Sequence, residues 1–424
     1  MYILGYYFIQ IELKGDVLKI IVADYLYIDG TFAENLAIAF DTHIQAVDAL
    51  ENLLDAYPDA ELIRAKPYTV LYPGFINTHV HLEFSANKTS LKYGSFMSWL
   101  DSVIEHRDDL LKDCDNEMMR KECDEMLRSG VTTFGAISSF GTELQICEEV
   151  PQRVVFFNEL IGSNAQYADM LYGDFLERVK ASQSCEPQSR ITPAVAIHSP
   201  YSVHPVILQR AVTLAKQNNM PLTSHFLESQ AEREWLEQGS GEFKAFFEKF
   251  FNTSTPVTTI KEFMHAFDTY PTHFVHCVQA NDEELAHLKA HGHTVGHCPR
   301  SNRYLGCGRL RIEKLRELDL PYTVATDGLS SNDSLNIFDE FRAALMLHHQ
   351  APIQKLALKL IESATATAAK ALGLNNGSLH IGKDADFALI TLPELPKRSE
   401  EIALWSILHT KQVDAVYIEG EQYV

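Results

Sequence analysis

The chain has no long apolar run. Nowhere in its 424 residues does a stretch approach the roughly 18 to 20 uncharged apolar residues of a membrane-spanning helix, so no membrane partner is expected. Positive charge is also scarce. Against 57 Asp and Glu there are 36 Lys and Arg, a formal net charge of −21, and that field repels nucleic acid and anionic membranes alike. The seven cysteines (Cys114, Cys123, Cys147, Cys185, Cys277, Cys298 and Cys307) are odd in number and show no Cys-x-x-Cys spacing. They read as free thiols of a reducing cytosol, not as a disulfide framework. The apolar N-terminus, Met1 to Ile11, lacks a basic segment and a small-residue cleavage site, and Gln10, Glu12 and Lys14 interrupt it. It reads as a β-strand, and the protein is expected in the cytoplasm.

What is present is enough apolar residue, 46% of the chain, to bury a large core: one barrel-sized domain plus a small partner. Residues 1 to 70 suggest short strands at Tyr6 to Leu13, Val17 to Tyr27 and Leu36 to Phe40, interrupted by a helix-like segment from Ile44 to Ala56. The last 48 residues return to strands, Ala385 to Thr391 and Val413 to Ile418. Neither end can bury its own face. Residues 1–70 and 377–424 are therefore expected to pair into one small β-sandwich-like domain.

Between them, in residues 71–376, short apolar runs alternate with helical periodicity. Eight strand candidates stand out: Val70 to Thr78, Val131 to Ile137, Val154 to Leu160, Ile191 to Ile197, Leu222 to His225, Thr272 to His276, Thr294 to Cys298 and Tyr322 to Thr326. Eight βα units predict an α/β fold, a (β/α)8 TIM barrel, with its chemistry where the strands end.

Those ends carry the informative residues. His79 and His81 lie two apart in Leu71-Tyr-Pro-Gly-Phe-Ile-Asn-Thr-His-Val-His, and alternation along a strand points both imidazoles the same way. An isolated pair of this kind also occurs on solvated strands. Here His225 ends the fifth candidate, His276 the sixth and Asp327 the eighth. His79, His81, His225 and Asp327 make an N3O set suited to one divalent ion, Zn(II) or Fe(II), with a position open for water. Such an ion lowers the pKa of bound water toward about 7. Glu228, three residues after His225, is by default a surface or capping residue, but in this company it is placed to move a proton between water and a substrate ring nitrogen. His276 reads as a group that hydrogen-bonds the attacking water, with ligation as the alternative. His198 either contacts substrate or is satisfied by backbone.

These residues resemble the amidohydrolase superfamily and, within it, the mononuclear nucleobase and nucleoside deaminases. The resemblance runs through Pro73-Gly-Phe-Ile-Asn-Thr-His-Val-His, His198-Ser-Pro-Tyr, His225-Phe-Leu-Glu, Val275-His-Cys, His297-Cys-Pro-Arg-Ser-Asn, Thr326-Asp-Gly and Gly382-Lys-Asp-Ala-Asp-Phe. It implies ligation by His79, His81, His225 and Asp327, with Glu228, His276 and Asp327 moving protons. Hydroxide would add to the amine-bearing ring carbon, Glu228 would protonate the adjacent ring nitrogen, Asp327 would take the hydroxide proton, and collapse would expel ammonia. No lysine follows the third or fourth strand in a setting like that of the two-metal members, which disfavours their chemistry.

The resemblance is greatest to the aminofutalosine deaminases, and implies an adenine nucleoside with a modified ribose as small-molecule substrate. Deaminases of S-adenosylhomocysteine or methylthioadenosine and the related chlorohydrolases are the alternative; a non-catalytic scaffold is the reading from another class. Trp99 and Glu105 fall where similar enzymes contact base and ribose, although Trp99 on an amphipathic helix is by default core. Arg300 and Arg303 present forks suited to a substrate carboxylate, with a structural ion pair as the other reading. The aromatic segment between Glu228 and Phe263 is expected to fold over the barrel mouth or to pack on a second subunit of a homodimer.

Overall fold

The computed structural model of the chain describes residues 17–424, so the expected strand at Tyr6 to Leu13 lies outside the described residues. Eight parallel strands form one sheet in sequential order: Phe75–Val80, Val131–Ser138, Arg153–Leu160, Ile191–Ile197, Leu222–Phe226, His273–His276, Thr294–His297 and Tyr322–Val324. All eight expected strands are there. The first meets the eighth through Asn77 Nδ2 donating to Thr326 Oγ1 at 2.7 Å and a Thr78–Thr323 hydroxyl pair at 2.8 Å, completing a (β/α)8 barrel. Its strands are buried almost throughout, as parallel strands covered by helices must be.

Two smaller sheets lie beside it. One has four strands in the order Ile44–Asp48, Ala37–Phe40, Lys19–Val22, Glu61–Arg64; the other has six, Glu421–Gln422, Ala415–Ile418, Phe387–Thr391, Thr69–Pro73, Tyr25–Ile28, Thr31–Ala33. Ile21, Ile38, Phe40, Leu71, Phe387 and Tyr417 fill the space between them, with Phe40 edge-on to Phe387 at 5.1 Å.

The structure corrects three sequence readings. The run Val70 to Thr78 is two strands: Thr69–Pro73 pairs with Phe387–Thr391 in the small sheet, and Phe75–Val80 enters the barrel. Gly74 makes the break. A β-carbon there would sit 2.1 Å from Thr132 Oγ1, so only glycine lets the chain pass this close to the second barrel strand. On that ground we place the boundary between small sheets and barrel at Gly74 instead of after residue 70. The segment Ile44 to Ala56 is a strand, Ile44–Asp48, followed by a helix, Leu50–Ala56. Val17 to Tyr27 is likewise two strands, parted where Asp24 Oδ2 accepts from the Tyr68 and Thr69 amides.

Candidate active site

At the C-terminal ends of the barrel strands the backbone turns sharply. Leu227, His276, Cys277 and Asp327, none of them glycine, all have positive φ, from 46° to 71°. Such angles persist only where surrounding contacts fix them, and they cluster at functional sites.

These turns aim the imidazoles at one point. His81 Nε2 lies 3.2 Å from His79 Nε2 and 3.3 Å from His225 Nε2, and Asp327 Oδ1 lies 3.6 Å from both His79 and His81 Nε2. His225 Nδ1 donates to the His198 carbonyl at 2.6 Å, leaving its Nε2 with a lone pair. Burial holds His81 down to about 3 and His225 well below the ordinary range, so both rings are neutral at pH 7. Neutral imidazoles at such distances either share a hydrogen or turn their lone pairs toward a common cation. A zinc ion about 2.0–2.1 Å from each nitrogen would set them about 3.3 Å apart, so the donor set fits a divalent metal.

Asp327 is prepared for the same task. Ser301 and Ser331 hydroxyls donate to its Oδ2 at 2.7 and 2.9 Å, and the Gly328 amide donates to Oδ1, which faces the imidazoles. Burial would raise this carboxyl, but His79, His81 and His276 together hold it well below the usual range. Gly328 crosses so near His81 that a β-carbon would meet His81 Cβ at 2.7 Å.

Glu228 and His276 form the proton-handling side. Glu228 is buried, and burial first, then the Asp327 and Glu232 charges, push its carboxyl well above the ordinary range. His276 Nδ1 faces Asn302 Oδ1 at 2.9 Å. Given the amide orientation, in which that oxygen can only accept, Nδ1 bears the hydrogen, and the Nε2 lone pair faces Glu228 Oε2 at 3.7 Å. Burial holds this ring down to about 4. His276 also groups with His79 and His225 closely enough to ligate, so both readings of it stand.

The structure brings together His79, His81, His225, His276, Glu228 and Asp327, with His198 at the edge. His198 is held through Nδ1 by Ser199 and Ser202, and its ring stands 5.2 Å from His225. Trp99 is partly buried and donates from Nε1 to the Ser330 carbonyl at 2.8 Å, so its indole edge is occupied. Glu105 does not join the group. Six residues after Trp99 in the helix Phe96–Asp113, it lies about 240° around the axis and is exposed, so helical rotation sets it apart from Trp99. The buried guanidinium of Arg300 pairs with Asp333 and lies 3.7 Å from both Asp339 and Glu340, which favours the structural ion-pair reading of the two the sequence offered. Arg303, on the same short helix Pro299–Tyr304, is exposed and makes no ion pair among the described residues.

Several contributors carry no motif of their own. Glu232 accepts from the Leu227 and Glu228 amides at 3.0 and 2.8 Å, fixing the turn that presents Glu228. Glu83 accepts from the Ser139, Phe140 and Gly141 amides, tying the loop after the first barrel strand to that after the second. The pair Glu232 and Glu228, one turn apart, was the available signal for the former; none was visible for the latter.

The aromatic segment covers one side of the mouth. Phe243 is fully buried, 4.7 Å from the Tyr201 ring and 6.1 Å from Phe96, and Trp235 stacks on Phe247 at 5.1 Å. Phe250 and Phe251 stay exposed.

Fold and site together define a hydrolase: the chain belongs to the amidohydrolase family, whose sequence model matches residues 70–423. Deaminases of this family use a divalent metal. Over 394 residues, 93% of this chain and 96% of the relative, it is 47% identical to an aminodeoxyfutalosine deaminase of a Nitratiruptor species. It is 35% identical to an adenosine deaminase of Helicobacter pylori over 398 residues, 92% of this chain and 95% of that protein. The crystal structure of Helicobacter pylori aminofutalosine deaminase in complex with methylthio-coformycin matches with a TM-score of 0.90 at 34% identity, covering 96% of this chain and 100% of that one.

Proposed function

We propose that this chain hydrolytically deaminates the adenine ring of a modified nucleoside, converting 6-amino-6-deoxyfutalosine to futalosine and ammonia, a step of menaquinone biosynthesis. One observation carries the reading: a buried Glu228, its carboxyl pushed up by burial, stands beside converging histidines and Asp327 in a chain 47% identical to an aminodeoxyfutalosine deaminase. His79, His81, His225 and Asp327 would hold one ion, zinc or ferrous iron. Its chemistry is to lower the pKa of water toward about 7.

The remaining work falls to the chain. Net reaction replaces the exocyclic C–NH2 bond on the ring by C=O, using one water and releasing ammonia. Glu228 gives its carboxyl proton to the ring nitrogen next to the amine-bearing carbon, making that carbon electrophilic. Asp327 receives a proton from the attacking water and passes it to the departing amine, and the remaining hydroxyl proton returns to Glu228 as the carbonyl forms and ammonia leaves. His276, its Nε2 lone pair fixed by Asn302, orients that water. Burial under Phe243 and Tyr201 excludes competing solvent.

Arg303 is the group we assign to the substrate carboxylate, because it is the uncommitted cation of its helix among the described residues. Replacing Arg303 by Met should raise KM for the carboxylated nucleoside at least about tenfold and leave adenosine nearly unaffected. Equal effects on both would remove Arg303 from recognition. The adenosine deaminase relative favours one second reading, a plain or thioether nucleoside as substrate. Ammonia release by the metal-loaded protein, compared on aminodeoxyfutalosine, S-adenosylhomocysteine, methylthioadenosine and adenosine, separates them. Preference for the first supports the proposal; preference for any other overturns the substrate and keeps the chemistry.

A further inference from the structure

A second group of imidazoles lies at the opposite end of the barrel. His265 closes the helix Ile260–His265, Asp268 lies in the turn before the sixth barrel strand, His287 is on the helix Asp282–Ala290, and His291 caps that helix before the seventh strand. All four therefore sit where strands begin, a strand's length from the residues at the mouth.

Every partner of the Asp268 carboxylate among the described residues is an imidazole. His265 Nδ1 lies 2.7 Å from Oδ2, His287 Nε2 lies 2.7 Å from Oδ1, and His291 Nε2 lies 3.7 Å from the same oxygen. The donor atoms of His265, Asp268 and His287 all fall within 4.8 Å of one another. A tetrahedral zinc site separates its donors by about 3.4 Å, within the span these contacts cover. The fourth ring adds an independent argument. His291 Nδ1 lies 2.9 Å from the His287 carbonyl oxygen, which can only accept, so Nδ1 carries the hydrogen. Its Nε2 faces the Asp268 carboxylate at 3.7 Å, longer than a hydrogen bond, a spacing that leaves room for a shared cation between them. The rings are also prearranged: His287 stacks on His291 at 4.1 Å and meets His265 edge-on at 5.0 Å. Side-chain exposures of 17% to 47% leave the group open to solvent ions.

We propose that His265, Asp268 and His287, with His291 as a fourth donor, form a second metal site of the zinc class, distinct from the barrel mouth. Imidazole with carboxylate suits zinc, and binding would displace the ring protons now directed at Asp268. The ion would staple the segment entering the sixth strand to the segment entering the seventh. Its role would be structural, since among the described residues no proton-handling carboxyl of the Glu228 kind accompanies it.

The test is zinc stoichiometry of the demetallated, refilled protein, measured by mass spectrometry after dialysis against micromolar free zinc. Two ions per chain are expected in the wild type. Asp268→Asn and His287→Ala should each leave one, and His225→Ala should lose the other. Replacement by cobalt(II) gives a second readout: Asp268→Asn should remove one set of visible ligand-field bands that His225→Ala retains. Asp268→Asn is nearly isosteric and keeps the test alive if His287→Ala does not fold. A wild type holding a single ion that His225→Ala abolishes, or a second ion that persists in Asp268→Asn, would overturn the proposal.

Discussion

Glu228 can donate a proton because it is buried, not because of its position in a motif. Removing the proton while keeping shape is therefore the informative change: Glu228→Gln should lower kcat by about 10²–10⁴ without altering metal content, checked by steady-state kinetics beside elemental analysis. Gly328 gives a second prediction at this scale. Because a β-carbon there collides with His81, Gly328→Ala should weaken metal binding about 10- to 100-fold, the range seen when the surroundings of a ligand are disturbed, read by competition with a chromogenic chelator. Residue identity was legible where chemistry requires a type: three histidines, a carboxylate and a proton donor. It was not legible for Arg300, whose partners Asp333, Asp339 and Glu340 come from a different loop and helix. Nor did the spacing of Trp99 and Glu105 place them together, since helical rotation separates them.

Among elements, the aromatic cover over the mouth has the clearest energetic consequence. Trp235 is 1% exposed and stacked on Phe247, so Trp235→Ala should cost about 3–5 kcal/mol, seen as a lower denaturant midpoint. Because this layer adjoins Tyr201 and Phe96, KM should rise more than kcat falls. Apolar runs announced the eight barrel strands, since buried parallel strands need such runs whatever their neighbours. Periodicity could not announce the break at Gly74. Both halves of Val70 to Thr78 are equally apolar, and only the approach of Thr132 reveals where one sheet ends and the next begins. The strand Ile44–Asp48 was hidden for the related reason that its pairing with Ala37–Phe40 leaves most of its residues half-exposed or exposed, blurring the alternation.

For the whole molecule, buried neutral histidines set the acid limit. Burial holds His293 and His348 down to about 4, against about 6.5 in an unfolded chain. Between those values the unfolded chain binds more protons, so stability is complete above about pH 6.5 and is lost as pH falls toward about 4. The Tm of metal-free protein should be flat above neutrality and fall steadily below about pH 6.5. His348→Gln, which removes one such group, should make the fall shallower. An ion bound only by the folded chain stabilises it by mass action, so chelation should lower Tm and refilling should restore it.

The passage of one extended segment through two sheets at Gly74 also sets a timetable. Thr69–Pro73, which leads directly into the strand bearing His79 and His81, takes its antiparallel partner from Phe387–Thr391, more than 300 residues later. During synthesis the early histidines leave the ribosome long before the strand that braces them exists. A chain clipped before Phe387 would carry every metal donor while lacking the strand that braces Thr69–Pro73, and is expected to hold them less firmly in register.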